Sequence, residues 1–259
     1  MKHPFAWFNY LHLFVLYSVI LACFLSFDIL SRAAIKLGMQ DRPELSDYYS
    51  QILEYHKRMD SAVPKNSVIF IGDSLTQGFP VSAAWWPSTN YGIGADTTYG
   101  VINRLEQYTH SIANSQAVVL AIGINDLKIR DNQEILENYK IIFSKLPASA
   151  HVVVTGILPV DEKALYRPDI ISNHRISIIN KQLEAILSFN CNMLFLNPSV
   201  LADANGNLDY SFHVGDGVHL NAKGILAWAD HLNSAIEKLV INQRNSLSEP
   251  KAPYLCLPD

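Results

Sequence analysis

The chain has 259 residues, of which 49% are hydrophobic and 17% charged, and its net charge is −4. That is enough chain for one α/β domain plus an appendage, too apolar for a disordered protein, and too acidic for a nucleic-acid binder, which needs a basic face to neutralise phosphates. The three cysteines, Cys23, Cys191 and Cys256, lie far apart with no C-x-x-C pair, which excludes a zinc ribbon or a disulfide scaffold as the organising principle.

Residues 4–27 contain no Asp, Glu, Lys or Arg. As a helix this run measures roughly 36 Å at about 1.5 Å per residue, more than the about 30 Å of a hydrocarbon core. Trp7, Tyr10 and Phe27 stand near its ends, where interfacial aromatics belong. The expectation is an N-terminal transmembrane anchor over 1–28. A buried helix is the bland alternative. A cleaved signal peptide is the stronger rival, but no A-x-A site follows and the apolar stretch exceeds an h-region of about 7–15 residues. The stretch Ile20-Leu21-Ala22-Cys23 only faintly resembles a lipoprotein cleavage box. Lys2 lies on one side of the run and Arg32, Lys36 and Arg42 on the other, so charge does not fix the orientation. The short leading tail favours a signal anchor with the large domain extracytoplasmic, secretion after cleavage being the alternative.

A connector is expected over 29–65. Within it, Leu45, Tyr48, Tyr49, Ile52, Leu53 and His56 follow Pro43-Glu44 at helical spacing. Short apolar runs at 67–71, 116–122, 151–157 and 193–196 then read as strands, and 98–111, 132–145, 173–189 and 221–240 as helices. Continuous apolar strands suit a parallel sheet covered on both faces, and the alternation implies a doubly wound α/β domain over 66–242. A loosely held tail is expected over 243–259. Ligands of such sheets bind outside the carboxyl ends of the strands, so the turns after the strands are where chemistry belongs.

Three of those turns carry candidate groups. Ser74 follows the first strand in Gly72-Asp73-Ser74-Leu75. A serine there presents its hydroxyl and its own N–H, although a turn with a helix cap reads the same way. Serine needs a base to take its proton and a third group to hold that base. Asp216 and His219, three residues apart on a tight turn, supply both, unless Asp216 merely caps the turn. Asn125, in Gly123-Ile124-Asn125-Asp126, offers an amide to a developing oxyanion, or bonds its own loop. The segment 90–98 (NYGIGADTT) adds backbone N–H groups ahead of a helix. His213, three residues before Asp216, is either a structural neighbour or a substrate contact. A dinucleotide fingerprint fails because Thr97 stands where the third glycine is needed, and a phosphate loop fails for want of its Lys-Ser/Thr.

Taken in order, these four segments resemble the SGNH (GDSL-type) hydrolase family over about residues 66–240. The resemblance implies a flavodoxin-like three-layer α/β/α sandwich with about five parallel strands, no cofactor and no metal. It also implies roles: Ser74 as nucleophile, His219 as base, Asp216 as its orienting partner, and Ser74, Ala95 and Asn125 as the oxyanion hole. The family usually has glycine where this chain has Ala95, which puts the geometry of that donor in question. The expected activity is cleavage of a carboxylic ester, a lysophospholipid-type acyl ester or a thioester through an acyl-enzyme on Ser74. The alternatives are a deacetylase or acyltransferase of cell-surface carbohydrate, and a non-catalytic carbohydrate- or lipid-binding module on the same scaffold. The expected partners are a small-molecule, lipid or glycan ester substrate and, through residues 4–27, a membrane. Trp85, Trp86, Phe79, Tyr166 and Arg167 are candidates to line a substrate pocket, with local packing as the competing reading.

Overall fold

The computed structural model describes residues 10, 12–19, 21–22, 45–165 and 170–248, without the side chains of 242–248. The chain divides into two units, 1–44 and 45–259. In the first, residues 12–19 are helical, with Leu13, Phe14, Val15, Leu16, Tyr17 and Val19 all exposed. The membrane span expected over 4–27 lies in large part outside the described residues, and among these no helix is long and apolar enough to cross a membrane.

The second unit is built on five parallel strands: β1 (Val68–Gly72), β2 (Ser88–Gly92), β3 (Ala117–Ala121), β4 (Val152–Thr155) and β5 (Met193–Leu196), in the order β2-β1-β3-β4-β5. This is a flavodoxin-like strand order, whose direction reverses between β1 and β3. Alternate side chains face opposite layers. Ile69, Ile71, Val118, Leu120, Val152 and Val154 enter one core, and Val68, Phe70, Ala117, Val119 and Val153 enter the other. Burying each such branched chain contributes roughly 1.5–3 kcal/mol.

Helices cover both faces. α1 (Asp47–Asp60) starts where the Ser46 hydroxyl accepts the Tyr49 N–H. α2 (Ser74–Gln77) is a short turn directly after β1. α3 (Thr98–Arg104) and α4 (Thr109–Ala113) flank a 3-10 turn at Leu105–Tyr108, so the single helix expected over 98–111 is broken. α5 (Asn132–Lys145) and α6 (Asn173–Leu187) are capped by Asp131 and Ser172 and pack Ile135, Tyr139, Ile142, Ile176, Ile179 and Leu183 into the first core. α7 (Ala222–Ser248) covers the other face with Trp228, Leu232 and Ile236. It runs past the boundary expected at 242.

β2 is the strand that the apolar pattern does not reveal. Its sequence, Ser-Thr-Asn-Tyr-Gly, has turn composition, and only Thr89, Tyr91 and Gly92 are buried. Pairing with β1 along its whole length, from Val68↔Ser88 to Gly72↔Gly92, makes it a strand.

Candidate active site

Gly72 ends β1 against its neighbours. A Cβ there would collide with the Thr76 side chain and the Ala121 carbonyl, so glycine lets α2 fold back over the sheet edge. Asp73 caps that turn by accepting the Leu75 N–H at 2.9 Å, and Ser74 is left at the rim. On the late loop, Val214 N–H donates to the His219 carbonyl at 2.9 Å, closing a tight turn around Asp216. Gly217 sits in this turn at φ 76°, where a Cβ would stand 2.6 Å from the Asp161 carbonyl oxygen. The left-handed backbone and the close approach both require glycine.

These two loops bring the three expected groups together. Ser74 Oγ lies 2.9 Å from His219 Nε2, and His219 Nδ1 lies 2.6 Å from Asp216 Oδ2. Asp216 Oδ1 accepts the N–H groups of Val218 and His219, both at 2.9 Å. Partial burial works against the Asp216 carboxylate, but the His219 bond and the two backbone donors outweigh it and hold its pKa below the usual range. The imidazole is therefore pinned on its Nδ1 side and presents Nε2 to the serine. The side chains of His219 and Asp216 are about half exposed, at 47% and 44%, so the site is open to a ligand.

The third strand-end turn lies across the switch point. Asn125 Nδ2 donates one hydrogen to the Asp96 carbonyl at 3.0 Å, and its Oδ1 accepts from Lys128 Nζ at 2.9 Å. That leaves the second amide hydrogen free to point elsewhere. Ala95 adjoins the same Asp96 and has φ 61°. A left-handed residue with a Cβ costs about 1–2 kcal/mol, so the glycine that the family usually carries there has a conformational reason, and alanine holds the same geometry under strain. Neither the Ser74 nor the Ala95 N–H has an acceptor among the described residues.

Beneath these loops lies a buried pair that sequence reasoning missed. Arg104 is fully buried and donates to Asp96 Oδ2 (2.8 Å), the Gly72 carbonyl (2.9 Å), the Tyr91 carbonyl (2.7 Å) and the Tyr108 hydroxyl (2.8 Å). Burial alone would pull its pKa down, but Asp96 and Tyr108 outweigh burial and hold it up. One guanidinium thus ties the end of β1, which leads to Ser74, to the loop that carries Ala95. The available signal was its register: Val101, Arg104, Leu105 and Tyr108 share the buried helical face.

Other candidates fall elsewhere. His213 Nδ1 accepts the Gly215 and Gly217 N–H groups, so its Nε2 carries the hydrogen and donates to Asp161 Oδ2 at 3.3 Å. Both ring nitrogens are spent bracing the late loop, which favours the structural neighbour of the two readings given for His213. Trp85 and Trp86 precede β2, where Val68 N–H donates to the Pro87 carbonyl. They stand at the amino ends of the strands, a strand's length of about 17 Å from the carboxyl ends. The expectation that they line the pocket is corrected for that reason. Trp85 packs on the α7-side core and Trp86 is exposed. Phe79 is buried against Phe70. Tyr166 and Arg167 lie outside the described residues.

The sequence profile of the GDSL-like lipase/acylhydrolase family matches residues 70–225. The chain belongs to the GDSL-like lipase/acylhydrolase family. The match spans the turns after β1 and β3 and the late loop of Asp216 and His219. The platelet-activating factor acetylhydrolase IB subunit alpha1 of Rattus norvegicus is 33% identical over 109 residues, 39% of this chain and 47% of that protein. The chain thus spans about half the length of the curated relatives it matches. Among solved structures, one from Streptococcus pneumonia, provisionally named for platelet activating factor, aligns with a TM-score of 0.68 at 22% identity over 82% of this chain and 98% of that one. A GDSL-like lipase from Bacteroides thetaiotaomicron aligns with a TM-score of 0.59 at 20% identity over 72% of this chain and 97% of that one. At these identities the likeness establishes the fold.

Proposed function

We propose that the chain is a serine esterase that removes short acyl groups from a carboxylic ester. The observation that carries this reading is the continuous hydrogen-bonded chain Ser74–His219–Asp216 at the switch point. Ser74 Oγ attacks the ester carbonyl as its proton passes to His219 Nε2. The carbonyl oxygen becomes an oxyanion facing the N–H groups of Ser74 and Ala95 and the free amide hydrogen of Asn125. His219 then gives its proton to the leaving alkoxide oxygen, which departs as the alcohol. Water attacks the acyl-enzyme with His219 again as base, releasing the acid and restoring Ser74. Asp216 keeps His219 in the productive tautomer and stabilises its protonated form.

Two observations favour a short acyl group. Leu75 and Leu220, the chain neighbours of Ser74 and His219, border a mostly apolar cavity of about 30 Å³ that Ile124 and Ile157 also line. The rat relative is named as an acetylhydrolase. The purified chain is expected to hydrolyse p-nitrophenyl acetate, and Ser74→Ala to lower turnover by at least about 10³-fold with its thermal midpoint unchanged. Undiminished hydrolysis by the folded variant overturns the reading.

The enzyme is further proposed to be held at a membrane by residues 4–27, with the second unit on the extracytoplasmic side. Support comes from the uncharged apolar run and from the exposed apolar side chains along helical residues 12–19. Cys191 is disulfide-bonded, which fits an oxidising compartment. Alkaline carbonate washing of membranes should leave the full chain in the pellet; release into the wash contradicts the anchor.

A further inference from the structure

We infer that Tyr48 is a positioning residue for the oxyanion loop and acts on it through Gln77, an inference that rests on the esterase reading above. Tyr48 lies on α1, outside the span of 70–225 that defines the family match. Gln77 closes α2, three residues after Ser74. Its Nε2 donates to the Tyr48 hydroxyl at 2.6 Å, and its Oε1 accepts the Gly94 N–H at 2.7 Å. An amide has two unlike ends. An acceptor on one side of Gln77 fixes which way the group is turned, and so keeps its oxygen on the Gly94 N–H.

The bond matters because Gly94 leads directly into Ala95. Ala95 holds a left-handed backbone that an alanine does not hold unaided, and such residues persist only where their surroundings over-determine them. The far side of Ala95 is held by the Asp96 N–H donating to the Ile93 carbonyl and by Asn125 binding the Asp96 carbonyl. The near side is held by Gln77. Tyr48 is in turn seated by its neighbour Tyr49, whose buried hydroxyl donates to the Gly100 carbonyl at 2.7 Å, and by His56 at the Tyr108 hydroxyl at 2.9 Å. α1 therefore acts as a fixed post on the second unit, and the Tyr48–Gln77 bond passes its position to the oxyanion donor. The exposed Tyr48 ring stands beside this loop without being needed for any core.

The test is a set of variants in the full chain, assayed on p-nitrophenyl acetate, with Ser74→Ala as the separate check on the esterase reading. Tyr48→Phe is expected to lower kcat about 3–10-fold with KM unchanged. Adding it to Gln77→Ala should cause no further loss, since both break one chain. In the Ala95→Gly background, where the left-handed turn needs no brace, the Tyr48→Phe effect should shrink to under about twofold. Deuterium uptake by the peptide spanning 90–98 should quicken in Tyr48→Phe relative to the parent, a readout that does not depend on turnover. A change confined to KM would make Tyr48 a substrate contact and overturn the proposal. So would equal losses in the Ala95 and Ala95→Gly backgrounds, or unchanged uptake in 90–98. Hydrolysis that survives in Ser74→Ala overturns the esterase reading instead, and is distinguishable because the uptake comparison stands without it.

Discussion

Asp73 stands one residue before the proposed nucleophile, yet its carboxyl faces the interior and is 1% exposed. It lines the small cavity together with Thr155, whose buried hydroxyl has no partner among the described residues. Burial pushes its pKa up to about 7, against the pull of the Leu75 N–H, with Asp96 and Asp126 adding to the rise. Between the unfolded value near 3.8 and the folded value near 7, the unfolded chain has released this proton while the native chain keeps it. Stability therefore falls as pH rises through that window, by on the order of 4 kcal/mol at most. His56 has the opposite slope. Burial and then the Arg104 charge lower it to about 4, so the unfolded chain binds the proton first and stability rises with pH between about 4 and 6.5. Comparing the parent with Asp73→Asn isolates the carboxyl, because asparagine caps a helix as well as aspartate. Urea unfolding should show the variant gaining stability over the parent as pH rises from about 4 to about 7; a difference that does not change with pH contradicts the assignment. At this scale, Ser74, Asn125, Asp216 and His219 were legible because each sits in a short motif just after a strand or on a tight turn. Arg104, Gln77 and Tyr48 were not, since their partners are distant in sequence and only the folded chain brings them together. Trp85 and Trp86 fall at the amino ends of the strands, and which end of the sheet a loop residue occupies is a tertiary fact.

Among the elements, β1, β3, β4 and β5 could be read from their unbroken apolar runs, and α5 coincides with the helical stretch expected over 132–145. β2 could not, because half of it is polar and its pairing with β1 is a tertiary fact. Arg104 is what joins these elements at the site: it reaches from α3 to the last residue of β1, to Tyr91 of β2 and to Asp96 on the loop between β2 and α3. Breaking a buried ion pair from one side leaves the other charge without compensation, which costs about 3–5 kcal/mol. Arg104→Met is accordingly expected to lower unfolding free energy by that amount in urea titrations. A loss below about 1 kcal/mol would mean that the clamp does not hold the loops together. Lysine at this position should recover little, because one ammonium cannot reproduce the planar fork that serves four acceptors.

For the molecule as a whole, the sheet separates two cores and leaves a crevice at the reversal of strand order, where the turns after β1 and β3 meet the late loop before α7. The doubly wound architecture was readable because strand and helix patterns alternate, and the position of the crevice follows from that architecture. The contribution of α1 could not be read: sequence spacing assigned it to a connector, and it packs within the second unit, where Tyr48 meets Gln77. Residues 74, 216 and 219, scattered along the chain, are proposed to make a single activated serine. The most direct measurement is treatment of the full chain with a fluorophosphonate, followed by peptide mass spectrometry. One phosphonyl group is predicted, on Ser74, formed rapidly in the parent and not in His219→Ala. A parent left unmodified, or modified at the same rate without His219, would contradict it.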